Sequence, residues 1–165
     1  MTKKKIVFIL NPISGTTRKA GVPQQIDAYL DKDKFEYIIV ETQRAGHASE
    51  LAHEAVAKGV DIVVAIGGDG TVNEVARAIV ETDTALAIIP CGSGNGLARH
   101  LMLPLNVKGA IQVINECEIH ALDYGSINGM PSFCTCGMGF DAFILLKSAH
   151  AGKRGPIPHV EDVGK

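Results

Sequence analysis

Four short aliphatic runs, Lys5–Leu10, Glu36–Glu41, Val60–Ile66 and Ala85–Pro90, each end at a turn rich in glycine or small polar residues. Each is then followed by a stretch with helical spacing. That order is βαβα, and it restricts the fold more than any other feature of the chain. Three of the runs are nearly continuous in Val, Ile, Leu and Ala, as strands covered on both faces of a parallel sheet must be. The intervening segments Ala20–Leu30, His47–Lys58 and Thr71–Val80 read as crossover helices. In the second, Leu51, Ala55 and Val56 share one face while Glu50, Glu54 and Lys58 can face water. Right-handed crossovers gather the loops that follow the strands along one carboxyl edge, where ligands of such sheets bind. The glycine-rich loops after Leu10, Ile66 and Ile89 are therefore expected to converge on one crevice.

The 165 residues suffice for one ordinary domain, and 46% hydrophobic content with 21% charge excludes an intrinsically disordered chain. A net charge of −2 supplies no general field for nucleic acid or an anionic bilayer, so no nucleic-acid partner is expected. No apolar run approaches the roughly 20 residues of a membrane span. The opening MTKKKIVFIL lacks a cleavage site and reads as a first strand behind a solvated lysine run. Cys91, Cys117, Cys134 and Cys136 form no CxxC or histidine-completed zinc pattern, which fits reduced thiols and a cytoplasmic location.

Beyond about residue 104 the pattern changes. Val107–Asn115 reads as a helix, and Ile119–Ile127 and Pro131–Met138 as strands around a turn at Asn128-Gly129. This antiparallel addition places a boundary near Leu122, with an α/β domain over 1–122 and the start of a β-rich domain over 123–165. The segment His150–Lys165 shows no packed element, and the second domain is expected to be incomplete. Strands that lack their sheet would leave open edges, so self-association through them is expected.

Gly67-Gly68-Asp69-Gly70-Thr71 stands between a buried strand and a helix start. Glycines let backbone approach a ligand, and the helix N-terminus offers N–H groups to phosphate. Asp69 is the anomaly: a carboxylate beside phosphate requires a cation between them or a hydroxyl to deprotonate. The same letters also describe a tight turn with a helix-capping Asp, and the motif alone leaves both open. Pro90 to Arg99 (PCGSGNGLAR) holds three glycines in five positions, with Ser93 and Asn95 able to bond phosphate or ribose. Arg99 reads equally as an anion contact or as a surface cation. Asn11-Pro12-Ile13-Ser14-Gly15 and Thr42–Ala48 (TQRAGHA) also follow strands; each would pass for an ordinary loop by itself, and His47 reads first as a capping imidazole. No Walker, Rossmann, G-x-S-x-G or HExxH pattern occurs, and phosphate loops with a carboxylate match phosphoryl transfer.

At these residues the chain resembles the diacylglycerol kinase catalytic domain family, which includes bacterial lipid kinases and sphingosine kinases. NPISG, TxxAGHA, GGDGTVNEV and PCGSGNGLAR follow in the family's order over roughly residues 5–101, and Leu122–Ala142 is similar to its next stretch. The resemblance implies an α/β nucleotide domain of the NAD kinase/diacylglycerol kinase-like type, then a β-rich domain that completes a lipid cleft. It implies ATP and Mg²⁺ contacts at Asn11, Ser14, Thr42, Gly67, Gly68, Asp69, Gly70, Thr71, Gly92, Ser93, Gly94 and Asn95. Asp123 matches an acidic position tied to metal or to the acceptor head group; a turn-forming Asp is the alternative. Where many diacylglycerol kinases read GTxND, Gly96 replaces the carboxylate, and sphingosine kinases also have a small residue there.

The expected activity is ATP-dependent phosphorylation of a lipid hydroxyl such as that of diacylglycerol, in phospholipid biosynthesis. Asp69 would be catalytic through Mg²⁺ or as a base, with Asp123 as a second catalytic or metal residue. A sphingoid-base acceptor, or a nucleotide-binding module inactive at this length, are the alternatives; NAD kinase shares GGDG and fits less well. A lipid substrate implies peripheral contact with a membrane.

Overall fold

The computed structural model describes residues 2–13 and 19–133. Four strands, β1 (Lys4–Leu10), β2 (Phe35–Glu41), β3 (Ile62–Gly67) and β4 (Ala85–Pro90), form one parallel sheet in the order β2-β1-β3-β4. The register is regular: Ile6 lies beside Tyr37 and Ile62, and Ile66 beside Leu10 and Ile89. The helices are α1 (Val22–Tyr29), α2 (His47–Ala57), α3 (Asp69–Ile79), α4 (Gly96–His100) and α5 (Val107–Glu116).

Strand periodicity divides the core into two layers. Ile6, Phe8 and Leu10 of β1 face α1 and α5, where Ile26 and Ile111 are fully buried. Val7 and Ile9 face the other way, against Ala52 of α2 and Val75 of α3. All residues of β3 are buried, which is why its sequence reads as an unbroken aliphatic run. Each buried Val or Ile side chain contributes about 1.5–3 kcal/mol relative to exposure. The sheet thus has helices on both faces, as the βαβα order dictates.

The strand order also locates a crevice. From β1 the chain crosses to β2 on one side, then returns past β1 to β3 on the other. The loops after β1 and β3 therefore depart in opposite senses, and a cleft opens between them at the carboxyl edge.

Element bounds agree with the sequence reading to within two residues except at the end. The helix expected from Ala20 starts at Val22, with Pro23 in its first turn behind a short 3₁₀ turn at Lys19–Gly21. The Asn128-Gly129 hairpin is present, with both residues at positive φ as a two-residue turn requires. Its strands β5 (Gly125–Ile127) and β6 (Met130–Ser132) are much shorter than expected. Ile119–Tyr124 is exposed and irregular, because the ladder ends at the Gly125 and Ser132 pair and no neighbouring strand among the described residues bonds to it. The rest of Pro131–Met138, like Ser14, Cys134, Cys136 and the segment 139–165, lies outside the described residues. Arg77 Nε donates to Pro131 O at 2.9 Å, so the hairpin leans on α3.

Candidate functional site

Asn11 begins the first loop. Its main-chain N–H still bonds to Ile66 O at 3.0 Å, continuing the ladder one step past the strand. Its side-chain oxygen accepts from Ile13 N at 3.0 Å, and its amide nitrogen donates to Thr71 Oγ1 at 3.1 Å. One asparagine therefore folds its own loop and ties it to the start of α3. Lys19 Nζ donates to Asn11 O, which places an ammonium only 5% exposed behind the same loop.

The close approach of the loops explains their glycines. A Cβ on Gly92 would lie 2.4 Å from the Gly68 Cα, and one on Gly67 would lie 2.4 Å from Thr71 Oγ1. Neither neighbour can yield without moving backbone or a buried threonine. Gly68 and Gly92 are thus the contact at which the GGDGT and GSGNG loops touch.

Asp69 opens α3, and its carboxylate spans that contact. Oδ2 accepts from Asn95 N at 2.9 Å and Oδ1 from Gly96 N at 2.6 Å. A negative group here meets the amides that begin α4. Asn95 is in the left-handed region, and its side chain closes on Gly92 by accepting from Gly92 N at 2.9 Å and donating to Gly92 O at 2.8 Å. Arg99 Nε donates to Gly94 O at 2.8 Å. The GSGNG loop is therefore held from three sides before any ligand arrives, which is the preorganisation that charge-stabilising sites require.

The loop after β2 completes the rim. Thr42 is buried, with its N–H on Leu10 O at 2.9 Å. Gly46 N donates to Glu74 Oε1 at 3.1 Å, tying TQRAGHA to α3. His47 Nδ1 accepts from Gln43 N at 3.1 Å, so this imidazole caps its loop as the sequence suggested. Arg44 pairs with Glu50 at 2.7 Å.

Together these loops enclose a cleft of about 360 Å³ lined by Asn11, Thr42, Arg44, Gly68, Gly70, Thr71 and Glu74, among others. Of the residues expected at the site, Asn11, Thr42, Gly68, Gly70 and Thr71 line this cleft; Gly67, Asp69, Gly92, Gly94 and Asn95 form the frame behind and beside it. Ser93 is exposed on the adjoining loop, and Ser14 lies outside the described residues. Asp123 lines a different groove, of about 310 Å³, with Leu97, His100, Tyr124 and Phe133. Among the described residues, no cluster of three or more His, Cys, Asp or Glu side chains is arranged to hold a metal ion. Cys91, beside the frame, has its thiol pushed above the ordinary value by burial, partly offset by Lys19.

Lys19 and Glu74 carry weight that sequence reasoning missed. Glu74 had a signal: it follows Gly70 by four residues, which puts both on one face of α3. Lys19 had none, because only the tertiary fold buries it.

This frame of converging glycine loops coincides with a known family signature. The diacylglycerol kinase catalytic domain profile matches residues 5–127. The chain belongs to the diacylglycerol kinase catalytic domain family. Among family relatives, a protein named diacylglycerol kinase from Staphylococcus saprophyticus is 34% identical over 128 residues, covering 76% of this chain and 42% of its own length. A diacylglycerol kinase from Staphylococcus haemolyticus is 35% identical over 73% of this chain and 37% of its own. A crystal structure of a diacylglycerol kinase from Bacillus anthracis superposes with a TM-score of 0.67 at 28% identity, covering 79% of this chain and 48% of that one. The chain thus spans less than half the length of the diacylglycerol kinases it matches.

Proposed function

We propose that this chain is the nucleotide-binding part of an ATP-dependent lipid kinase, with residues 1–122 holding ATP and residues 123–165 beginning the acceptor side. The observation that carries the reading is the cleft at the β1/β3 divergence, where the N-terminus of α3 meets Asn11 and Thr42. The first-turn amides of α3 have no intrahelical partner and suit phosphate oxygens. A Cβ on Gly70 would meet nothing, so the backbone there is open to a ligand. Asn11 and Thr71 both line this space, bonded to each other, and Lys19 contributes a positive charge behind it.

Asp69 suits a cation as well. Its carboxylate sits at the contact of the two glycine loops, and carboxylate oxygens are the ligands that hard divalent cations prefer. Mg²⁺ held there would neutralise charge on the transferred phosphoryl group. The chain's own contribution is to fix Asp69 against the GSGNG loop, so that phosphate and acceptor hydroxyl meet in line. Asp123, in the groove beside α4, is better placed for the acceptor than for the nucleotide cleft.

Diacylglycerol is the leading acceptor; Gly96 favours a sphingoid base as the second reading, because it leaves a single carboxylate on this loop contact. Calorimetric titration of this chain with Mg²⁺-ATP and with NAD tests the nucleotide. Binding of ATP alone is expected, and binding of NAD in its place overturns the reading. A chain extended to the length of the relatives, assayed with labelled ATP on a lipid panel, tests the acceptor. In that assay Asp69→Ala is expected to remove nearly all turnover, and activity within a few-fold of wild type overturns the role of Asp69.

A further inference from the structure

Glu74 stands in the wall of a cleft whose other features suit phosphate. It lines the same space as Gly68, Gly70 and Thr71, and it lies one turn of α3 beyond Gly70, about 6 Å further along the helix axis. A carboxylate repels a triphosphate in that space, so charge does not account for it. Its hydrogen bond does.

Across the cleft, residues 43–46 lead from β2 into α2. Most of their hydrogen bonds stay within this loop and its own helix: Gln43 N donates to His47 Nδ1 at 3.1 Å, His47 N to Arg44 O at 3.3 Å, and Arg44 pairs with Glu50 at 2.7 Å. Among the described residues, the bond from Gly46 N to Glu74 Oε1 at 3.1 Å is the one hydrogen bond that ties residues 43–46 to any other element. Gly46 is where the chain turns into α2; it sits at φ 79, and no side chain caps the helix there. The body of α2 is anchored separately, because Ala48, Ala52 and Ala55 share a buried cluster with Val72 and Val75 of α3. Glu74 therefore grips the loop at its turning point, and loss of the grip frees the loop while leaving the helix packed. Arg44 and Ala45, next to Gly46, form the cleft wall together with Thr42.

We propose that Glu74 is a positioning residue for the nucleotide cleft: it holds Gly46 N and so fixes where Arg44 and Ala45 stand opposite the start of α3. The effect on ATP rests on the nucleotide reading above, whereas the hold on the loop rests on the geometry alone. The role requires an acceptor oxygen, which the side-chain amide of glutamine also carries, and not a negative charge.

The test compares Glu74→Ala with Glu74→Gln in two measurements on this chain, with circular dichroism reporting the fold of each variant. In amide hydrogen exchange followed by mass spectrometry, Glu74→Ala is expected to speed exchange in residues 43–46 about tenfold or more, with the buried part of α2 unchanged, and Glu74→Gln to keep the wild-type rate. In calorimetric titration with Mg²⁺-ATP, Glu74→Ala is expected to weaken binding about tenfold and Glu74→Gln to bind within about twofold of wild type. Loop exchange that Glu74→Ala leaves unchanged overturns the proposal, as does faster exchange with unaltered ATP affinity. Glu74→Gln that binds ATP as poorly as Glu74→Ala also overturns it, since the carboxylate itself would then be meeting the metal or the nucleotide. A wild type that binds no Mg²⁺-ATP overturns the nucleotide reading, and the exchange measurement still decides the hold on the loop.

Discussion

At Gly92 a single methyl group decides whether two loops can touch. With a Cβ 2.4 Å from the Gly68 Cα, Gly92→Ala must push the GSGNG loop off the GGDGT loop and lengthen both Asp69 bonds. A loss of about 1–3 kcal/mol in urea denaturation is expected, with weakened nucleotide binding. Gly70→Ala, whose Cβ meets nothing, should cost far less, and equal losses at both positions would contradict the contact. Cys91 makes a different prediction at this scale. Burial raises its thiol above the ordinary 9.0, so folding favours the protonated form. The stabilisation from that preference is complete below pH 9 or so and is lost as pH rises through the folded value. Alkylation followed by peptide mass spectrometry should label Cys117, which is less buried, faster than Cys91.

Elements are joined by a few polar residues whose partners are far apart in sequence. Asn115, near the end of α5, accepts from Asp31 N at 2.9 Å and donates to Tyr29 O at 2.8 Å, closing the α1–β2 turn onto α5. Asn115→Ala leaves both groups short of a partner, and a loss of about 1–2 kcal/mol in thermal or urea unfolding is expected. Asn95 plays the same part at the start of α4, where its left-handed backbone and two bonds to Gly92 favour asparagine over any aliphatic residue. The sequence marked Asn95 as a ligand contact. The structure shows it building the loop, a role visible only once Gly92 is seen to return to it. Asp69 likewise joins distant segments, since the amides it caps lie 26 and 27 residues further along the chain.

For the molecule as a whole, the proposed function predicts that ligand and fold are coupled. The cleft draws on loops after β1, β2 and β3, with the β4 loop braced behind them, so a nucleotide bound there must resist separation of the strands. At a Mg²⁺-ATP concentration about a hundredfold above Kd, unfolding should cost about 2.7 kcal/mol more, seen as a rise in Tm that NAD does not reproduce. β2 and β4 are the outer strands of the described sheet, and open edges invite association. Light scattering at working concentration should show oligomers larger than a monomer; a sharp monomer disposes of that expectation.

The order of elements and the parallel sheet were legible in the sequence because buried strands must be aliphatic throughout, and the β3 run Ile62–Ile66 has no other use. The glycine motifs were legible because backbone contact leaves no room for Cβ. Tertiary structure alone decided which loops meet, that Lys19 is buried, that Asp69 faces α4 and that Asp123 belongs to another groove. Those facts depend on strand order and crossover sense, which bring distant residues within bonding distance and which no local pattern of side chains encodes.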